Sequence, residues 1–183
     1  MAYLLSKKIT TIFFCLLIGL VFWFLIFLGF LYFFNNQVKS LESASSSFRD
    51  KIFESSEAKD YSKVFLKIGE KIIETELVFN QEAMYLGLSG RENLLPDKGM
   101  LFVFKNYGQQ SFSMRNMNFP LDIVFLKDGK VMKVFSNLAP EGISPKNLYQ
   151  YGPTDMVIEL PANYFKDNNL QEGMVFEFIG SEV

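Results

Sequence analysis

The stretch LDIVFLKDGKVMKVF, residues Leu121–Phe135, decides the fold. Asp128-Gly129 sits between two apolar arms, and this pair tolerates the positive φ angles of a type I′ turn. Leu121–Lys127 and Val131–Phe135 therefore read as an antiparallel hairpin. The pattern recurs upstream, where Val64, Leu66 and Ile68 alternate with Phe65 and Lys67, Gly69-Glu70 interrupts, and Ile72–Phe79 resumes. Gly99–Lys105 (GMLFVFK) is too short for a typical helix and rich in Phe and Val, which predicts a buried strand. Ser111–Arg115, Met156–Leu160 and Met174–Ile179 are further strands by the same signals. Gln81–Leu88 has helical spacing with Ala83, Met84 and Leu88 turned inward, and Pro161 is placed to begin a second short helix running to Phe165. Residues 136–154, with three of the chain's six prolines, read as one long loop. Residues 63–183 are thus expected to form a mainly β domain, a compact antiparallel β-barrel or sandwich with one or two short helices.

Before residue 63 the composition changes twice. Residues 9–34 hold 22 apolar side chains and no charge (26 minus Thr10, Thr11, Gly19 and Gly29). As a helix this run would be roughly 39 Å long, more than the hydrocarbon core of a bilayer. It outlasts the apolar part of a cleavable signal peptide, and the small-residue cluster Ser43–Ser47 lies well past its end. Cys15 follows Phe13 and Phe14 rather than the small residues a lipoprotein signal needs. The expectation is an uncleaved single-pass anchor. Lys7 and Lys8 precede the run and uncharged Asn35, Asn36 and Gln37 follow it. Residues 1–8 are therefore expected in the cytoplasm, and the C-terminal domain across the inner membrane, periplasmic or extracellular. Residues 35–62, rich in serine, read as a polar stalk. Within it Val38, Leu41, Ser45, Phe48 and Ile52 recur at spacings of 3 and 4, a seam for oligomerisation supported by fewer than three heptads.

Composition excludes several classes of function. The 183 residues contain no histidine, which removes Ser-His-Asp and Cys-His nucleophile systems and imidazole metal sites. The single cysteine, Cys15, lies in the apolar run, so no disulfide is available to the domain. After residue 35 there are 16 basic residues (18 minus Lys7 and Lys8) against 20 acidic, a net charge of −4 that offers no basic face for nucleic acid. Seven methionines beyond the anchor invite thought of Cu(I), but no His or exposed Cys completes a ligand shell, and neither metal nor cofactor is expected.

Five segments in order carry a family resemblance: Gly87–Arg91 (GLSGR), Pro96–Phe104 (PDKGMLFVF), Phe112–Asn116 (FSMRN), Pro120–Phe125 (PLDIVF) and Val157–Ala162 (VIELPA). Their order and spacing resemble the prokaryotic family called domain of unknown function 192 over about residues 70–178. The resemblance implies a small β-rich fold, often exported, with no established reaction. Against that family's usual pattern the chain carries Ser89 for Met, Ser113 for an aromatic residue, Arg115 for Lys, Met117 for Thr and Asn163 for Gly. It also lacks a histidine often found near Phe135-Ser136-Asn137, and with it any chemistry that residue would supply.

Arg91, Arg115, Asn116 and Asp122 are polar residues set among apolar, strand-like neighbours. In one reading they are satisfied ion pairs that fix strand ends. In the other they floor a pocket for a small anionic or hydroxylated ligand, the arginines donating and Asn116 orienting. No catalytic residue is assigned. Asp122 with Glu159 or Glu92 would suit glycoside hydrolysis only if the two carboxylates faced each other across a cleft. Ser111 and Ser113 lack the surroundings of a nucleophile elbow. The sequence thus points to a membrane-anchored extracytoplasmic binding or accessory module. A hydrolase using Asp/Glu carboxylates and a purely structural envelope protein stand as alternatives.

Overall fold

The structure, a computed structural model, describes residues 2–54 and 58–182, with the side chains of 2–16, 41 and 182 left aside; Lys7, Lys8, Cys15, Leu41, Ser55 and Ser56 fall outside the described side chains. The chain divides into two compact units, Met1–Ser40 and Leu41–Val183. The first is helical throughout its described residues, within α1 (Ala2–Glu54). Its large apolar side chains from Leu17 to Phe34 are mostly exposed, and its apolar part reaches a mean hydropathy of 2.6, long and apolar enough to cross a membrane. A helix apolar on every side has no use for water, and in a globular protein it would be buried.

In the second unit seven strands form one open, mixed sheet. They are β1 (Lys63–Ile68), β2 (Lys71–Val78), β3 (Lys98–Phe112), β4 (Leu121–Lys127), β5 (Lys130–Leu138), β6 (Tyr149–Pro161) and β7 (Glu177–Glu182), in the order β5-β4-β6-β3-β2-β1-β7. Two short helices, α2 (Gln81–Leu86) and α3 (Tyr164–Asp167), complete it. The mainly β class is as expected. Two details differ: β2 and β3 run parallel, because α2 and its loop carry the chain across between them, and the sheet does not close, the start of β5 meeting the segment before β7 through an isolated bridge between Lys130 and Val175 and backbone bonds of Gly129 and Val131 to residues 173–176. The β4–β5 turn has Asp128 and Gly129 both at positive φ, 52° and 78°, as the Asp-Gly signal predicts.

The central strands are buried on both faces, which is why they read as continuous apolar runs rather than alternating ones. On the first face Leu101, Val103, Val124, Leu126, Met156, Ile158 and Leu160 meet Val64, Leu66 and Phe176; on the second Met100, Phe102, Ile123, Phe125 and Val157 meet Ala83, Leu88, Met114 and Met117. Part of the expected stalk covers the first face: Ile52 is buried there, Phe48 stacks on Phe178 at 3.9 Å between ring centroids, and Phe53 meets Phe79 edge-on. The Ser45, Phe48 and Ile52 side of the helix thus meets the chain's own sheet. Arg49 Nη1 bonds the fully buried Asp155 carboxylate at 3.1 Å and lies over the Tyr107 ring.

Several expected boundaries move. Ser111 and Phe112 belong to the end of a 15-residue β3, and the expected loop over 136–154 shrinks to residues 139–148, because β5 runs on to Leu138 and β6 begins at Tyr149. Pro161 closes β6, and α3 begins three residues later, after Asn163 in the left-handed region at φ 63°. Asparagine tolerates that conformation, so it can stand where the family pattern has glycine. Gly99 allows β3 to lie close to β6, since a Cβ there would stand 2.8 Å from the Glu159 carbonyl oxygen and 2.9 Å from Leu160 Cδ2.

Candidate functional site

A cavity of about 270 Å³ opens on the second face of the sheet, between α2 with the Gly87–Ser89 turn, the outer half of β3 with residues 113–117, and β6. Its apolar lining includes Met84, Phe102, Phe104, Phe112 and Met117, and its polar lining Gln110, Ser111, Ser113, Arg115 and Glu159. Glu159 reaches it by strand alternation. Met156, Ile158 and Leu160 point to the first face, so Val157 and Glu159 point to the second, with Glu159 in register with Met100 of β3 and Ile123 of β4. Strands flank it on both sides, and a Cβ added to Gly87 would sit 3.9 Å from Oε2. Glu159 is 5% exposed, and Oε2 has no hydrogen-bond partner among the described residues. Burial pushes its carboxyl up from 4.5 to about 8, against the charge of Arg91, which pulls it down.

Arg115 stands at the same cavity. The segment carrying it is fixed by backbone bonds to the 139–148 loop: Glu141 N donates to Met114 O at 2.8 Å, and Asn116 N to Gly142 O at 3.3 Å. The guanidinium lies 4.2 Å from the centroid of the Tyr85 ring and donates to Tyr85 Oη at 2.8 Å and to Tyr85 O at 3.1 Å. Among the described residues no carboxylate pairs with it.

The other sequence candidates are dispersed. Arg91 forks onto Glu76 of β2 at 2.6 and 2.7 Å and does not line the cavity. Asn116 is exposed in a left-handed turn, where its carbonyl accepts from Gly90 N at 2.9 Å. Asp122 is fully buried and accepts from the backbone of Asn137, Asn163 and Phe165 at 2.8, 2.9 and 3.1 Å, tying the end of β5 and the start of α3 to β4. It is in register with Leu160, and Glu159 with Ile123, so the two carboxylates point to opposite faces of the sheet. Glu92 does not line the cavity, so Glu159 has no partner carboxylate there among the described residues, and no group of three His, Cys, Asp or Glu is placed to hold a metal. From the sequence Glu159 is a candidate only as half of a hydrolytic pair. The overlooked signal was a lone acid in the apolar run Met156–Leu160. Ser89, Ser113, Arg115 and Met117, four of the departures from the family pattern noted above, all line this cavity.

Residues 64–178 match the sequence profile of the DUF192 family, described as "Uncharacterized ACR". No match was found among curated proteins. Among solved structures, a "putative transcription regulator" from Sinorhizobium meliloti 1021 is 27% identical with a TM-score of 0.61, covering 66% of this chain and 96% of its own. A protein of unknown function from Novosphingobium aromaticivorans DSM 12444 is 26% identical with a TM-score of 0.59, covering 63% of this chain and 84% of its own.

Proposed function

Taking as premise that the chain belongs to the DUF192 family, we propose that it is a membrane-anchored module whose extracytoplasmic domain binds a small polar ligand in the cavity at Glu159. The observation that carries this reading is Oε2 of Glu159, a buried acid oxygen without a partner among the described residues, in the lining of a cavity of about 270 Å³. Buried polar atoms are nearly always satisfied, and one left open in a cavity is poised for a hydrogen bond from outside the chain. The volume lies near the lower end of small-molecule sites. Paired-carboxylate hydrolysis draws no support from carboxylates on opposite faces of a sheet, and a net charge of −4 after residue 35 lends none to a nucleic-acid role.

The test is a thermal-shift screen of the full chain in detergent micelles against small amines, carboxylic acids, amino acids and sugars. At least one class should raise the Tm of the wild type and leave Ser113→Trp, which fills the cavity, unmoved. A screen in which no compound acts at millimolar concentration would remove the reading. The orientation rests on Lys7 and Lys8 before the apolar run. A C-terminal alkaline phosphatase fusion should be active and a fluorescent fusion that matures only in the cytoplasm dark; the reverse would place the domain inside.

A further inference from the structure

We propose that the cavity takes a zwitterionic amine of the size of a free α-amino acid, its ammonium on Glu159 and its carboxylate on Arg115. This rests on the binding reading above and names its ligand class. The floor chemistry comes first. An acid oxygen without a partner asks for a donor, and the rings of Phe102, Phe104 and Phe112 line the same space. Aromatic faces attract organic cations, so an ammonium gains from both the carboxylate and its surroundings. A bare metal ion does not fit, because hard cations gather six or more oxygens and transition metals several N or S donors. Among the described residues Glu159 is the one acid of the lining, and no metal-ligating cluster exists.

Arg115 decides what stands at the other end of the ligand. Two of its five N–H groups are used by Tyr85, which leaves three for a ligand, and no carboxylate of the described chain neutralises it. A simple amine would be repelled by this charge. A ligand with a carboxylate at that end instead forms charge-assisted bonds to the guanidinium. The cavity's dimensions agree with a molecule of about ten heavy atoms.

Protonation gives the inference a distinctive signature. Arg115 shares the cavity lining, but the charged group acting on Glu159 is Arg91, which favours ionisation, yet burial outweighs it and holds the carboxyl at about 8. Glu159 therefore carries its proton at pH 7, and an arriving ammonium displaces that proton to solvent. Affinity should rise about tenfold per pH unit from about pH 5 to 7 and level off as pH passes about 8. A ligand that instead accepts a hydrogen bond from neutral Glu159 would bind better as pH falls.

The experiment is isothermal titration calorimetry of the full chain in detergent micelles with L-leucine, n-butylamine and butyrate, in buffers of different ionisation enthalpy. L-Leucine should bind best and release close to one proton at pH 7. Glu159→Gln should weaken it at least tenfold and abolish proton release. Arg115→Met should weaken L-leucine about tenfold but leave n-butylamine as strong or stronger, with circular dichroism melts showing both variants folded. Butyrate binding more tightly than L-leucine, proton uptake, or unchanged affinity in Glu159→Gln would each overturn the proposal. If no amino acid binds while another class of compound acts in a cavity-dependent way in the thermal-shift screen, the zwitterion fails and the binding reading stands. If nothing binds, both fail.

Discussion

Glu159→Gln turns the buried acid into a measurable dependence of stability on pH. In the folded chain the carboxyl keeps its proton up to about 8, whereas in the unfolded chain it releases it near 4.5. Between those values the unfolded state binds fewer protons than the folded state, so wild-type stability falls as pH rises through this window and is level below it. At about 1.4 kcal/mol per pH unit the whole interval amounts to about 5 kcal/mol, with about 3 already lost at pH 7. Water entering the cavity lowers these figures, so a change of roughly 2–5 kcal/mol between pH 4.5 and 8 is expected. Glutamine has the same shape and does not titrate. The difference in unfolding free energy between the two proteins at pH 4.5 measures the replacement itself, and its change by pH 8 isolates the proton. The assay is urea unfolding of both full chains in the same detergent, followed by far-UV circular dichroism across pH 4.5–8. Glu159→Gln should gain on the wild type steadily as pH rises. A difference that stays flat, or moves in favour of the wild type, would refute a protonated Glu159 and with it the proton-release signature of the ligand.

Three further perturbations test the frame around the cavity. Gly99→Ala sets a methyl 2.8 Å from the Glu159 carbonyl oxygen and 2.9 Å from Leu160 Cδ2, and overpacking of this kind should cost about 1–3 kcal/mol in urea unfolding. Asp122→Ala removes the acceptor of three backbone N–H groups, those of Asn137, Asn163 and Phe165, and should destabilise by several kcal/mol at about 1–3 for each donor left buried and open; hydrogen exchange should quicken first at α3 and the end of β5. Arg49→Ala leaves the fully buried Asp155, whose carboxyl burial already pushes up, without its cation, and should lose roughly 3–5 kcal/mol near neutral pH and less in acid. The double variant Arg49→Met with Asp155→Leu should recover most of that loss in the same unfolding assay.

The fold was legible where burial and turn chemistry agreed. The Asp128-Gly129 turn, the β1–β2 hairpin and the apolar cores of β3, β4 and β6 all carry short-range signals, and the structure contains each of them. What escaped notice was strand without an apolar face. The outer half of β3 and the first residues of β6, Asn106–Gln110 and Tyr151–Thr154, pair with each other in a ribbon whose side chains are largely polar and partly exposed. Such segments show neither alternation nor continuous hydrophobicity, and Gly152 and Pro153 argue locally for a loop. Only pairing across the sheet makes them strand, with Gly152 admitting the close approach of Gln109, whose Cα would lie 2.5 Å from a Cβ there. The covering of the sheet by Phe48 and Ile52 was hidden for a related reason. A narrow apolar stripe on a helix announces that something packs against it, but the stripe is the same whether the partner is a second helix or the chain's own sheet.

Register also separates two acids that composition makes alike. Asp122 and Glu159 lie on adjacent strands, each as the single acid in an apolar run. Asp122 shares its face with Leu160 and meets three backbone donors from loops that converge there, so its charge is absorbed into the architecture. Glu159, displaced by one residue in the ladder, shares its face with Ile123 and meets no donor for Oε2 among the described residues. A one-residue step along a strand reverses the face, and here it also divides structural from available acid. The arginines divide in the same way. Arg91 is held in a two-bond fork by Glu76, while Arg115 bonds the neutral Tyr85 and meets no carboxylate among the described residues. A buried acid and a half-buried guanidinium thus line one cavity, the acid with no donor for Oε2 and the guanidinium with no carboxylate among the described residues.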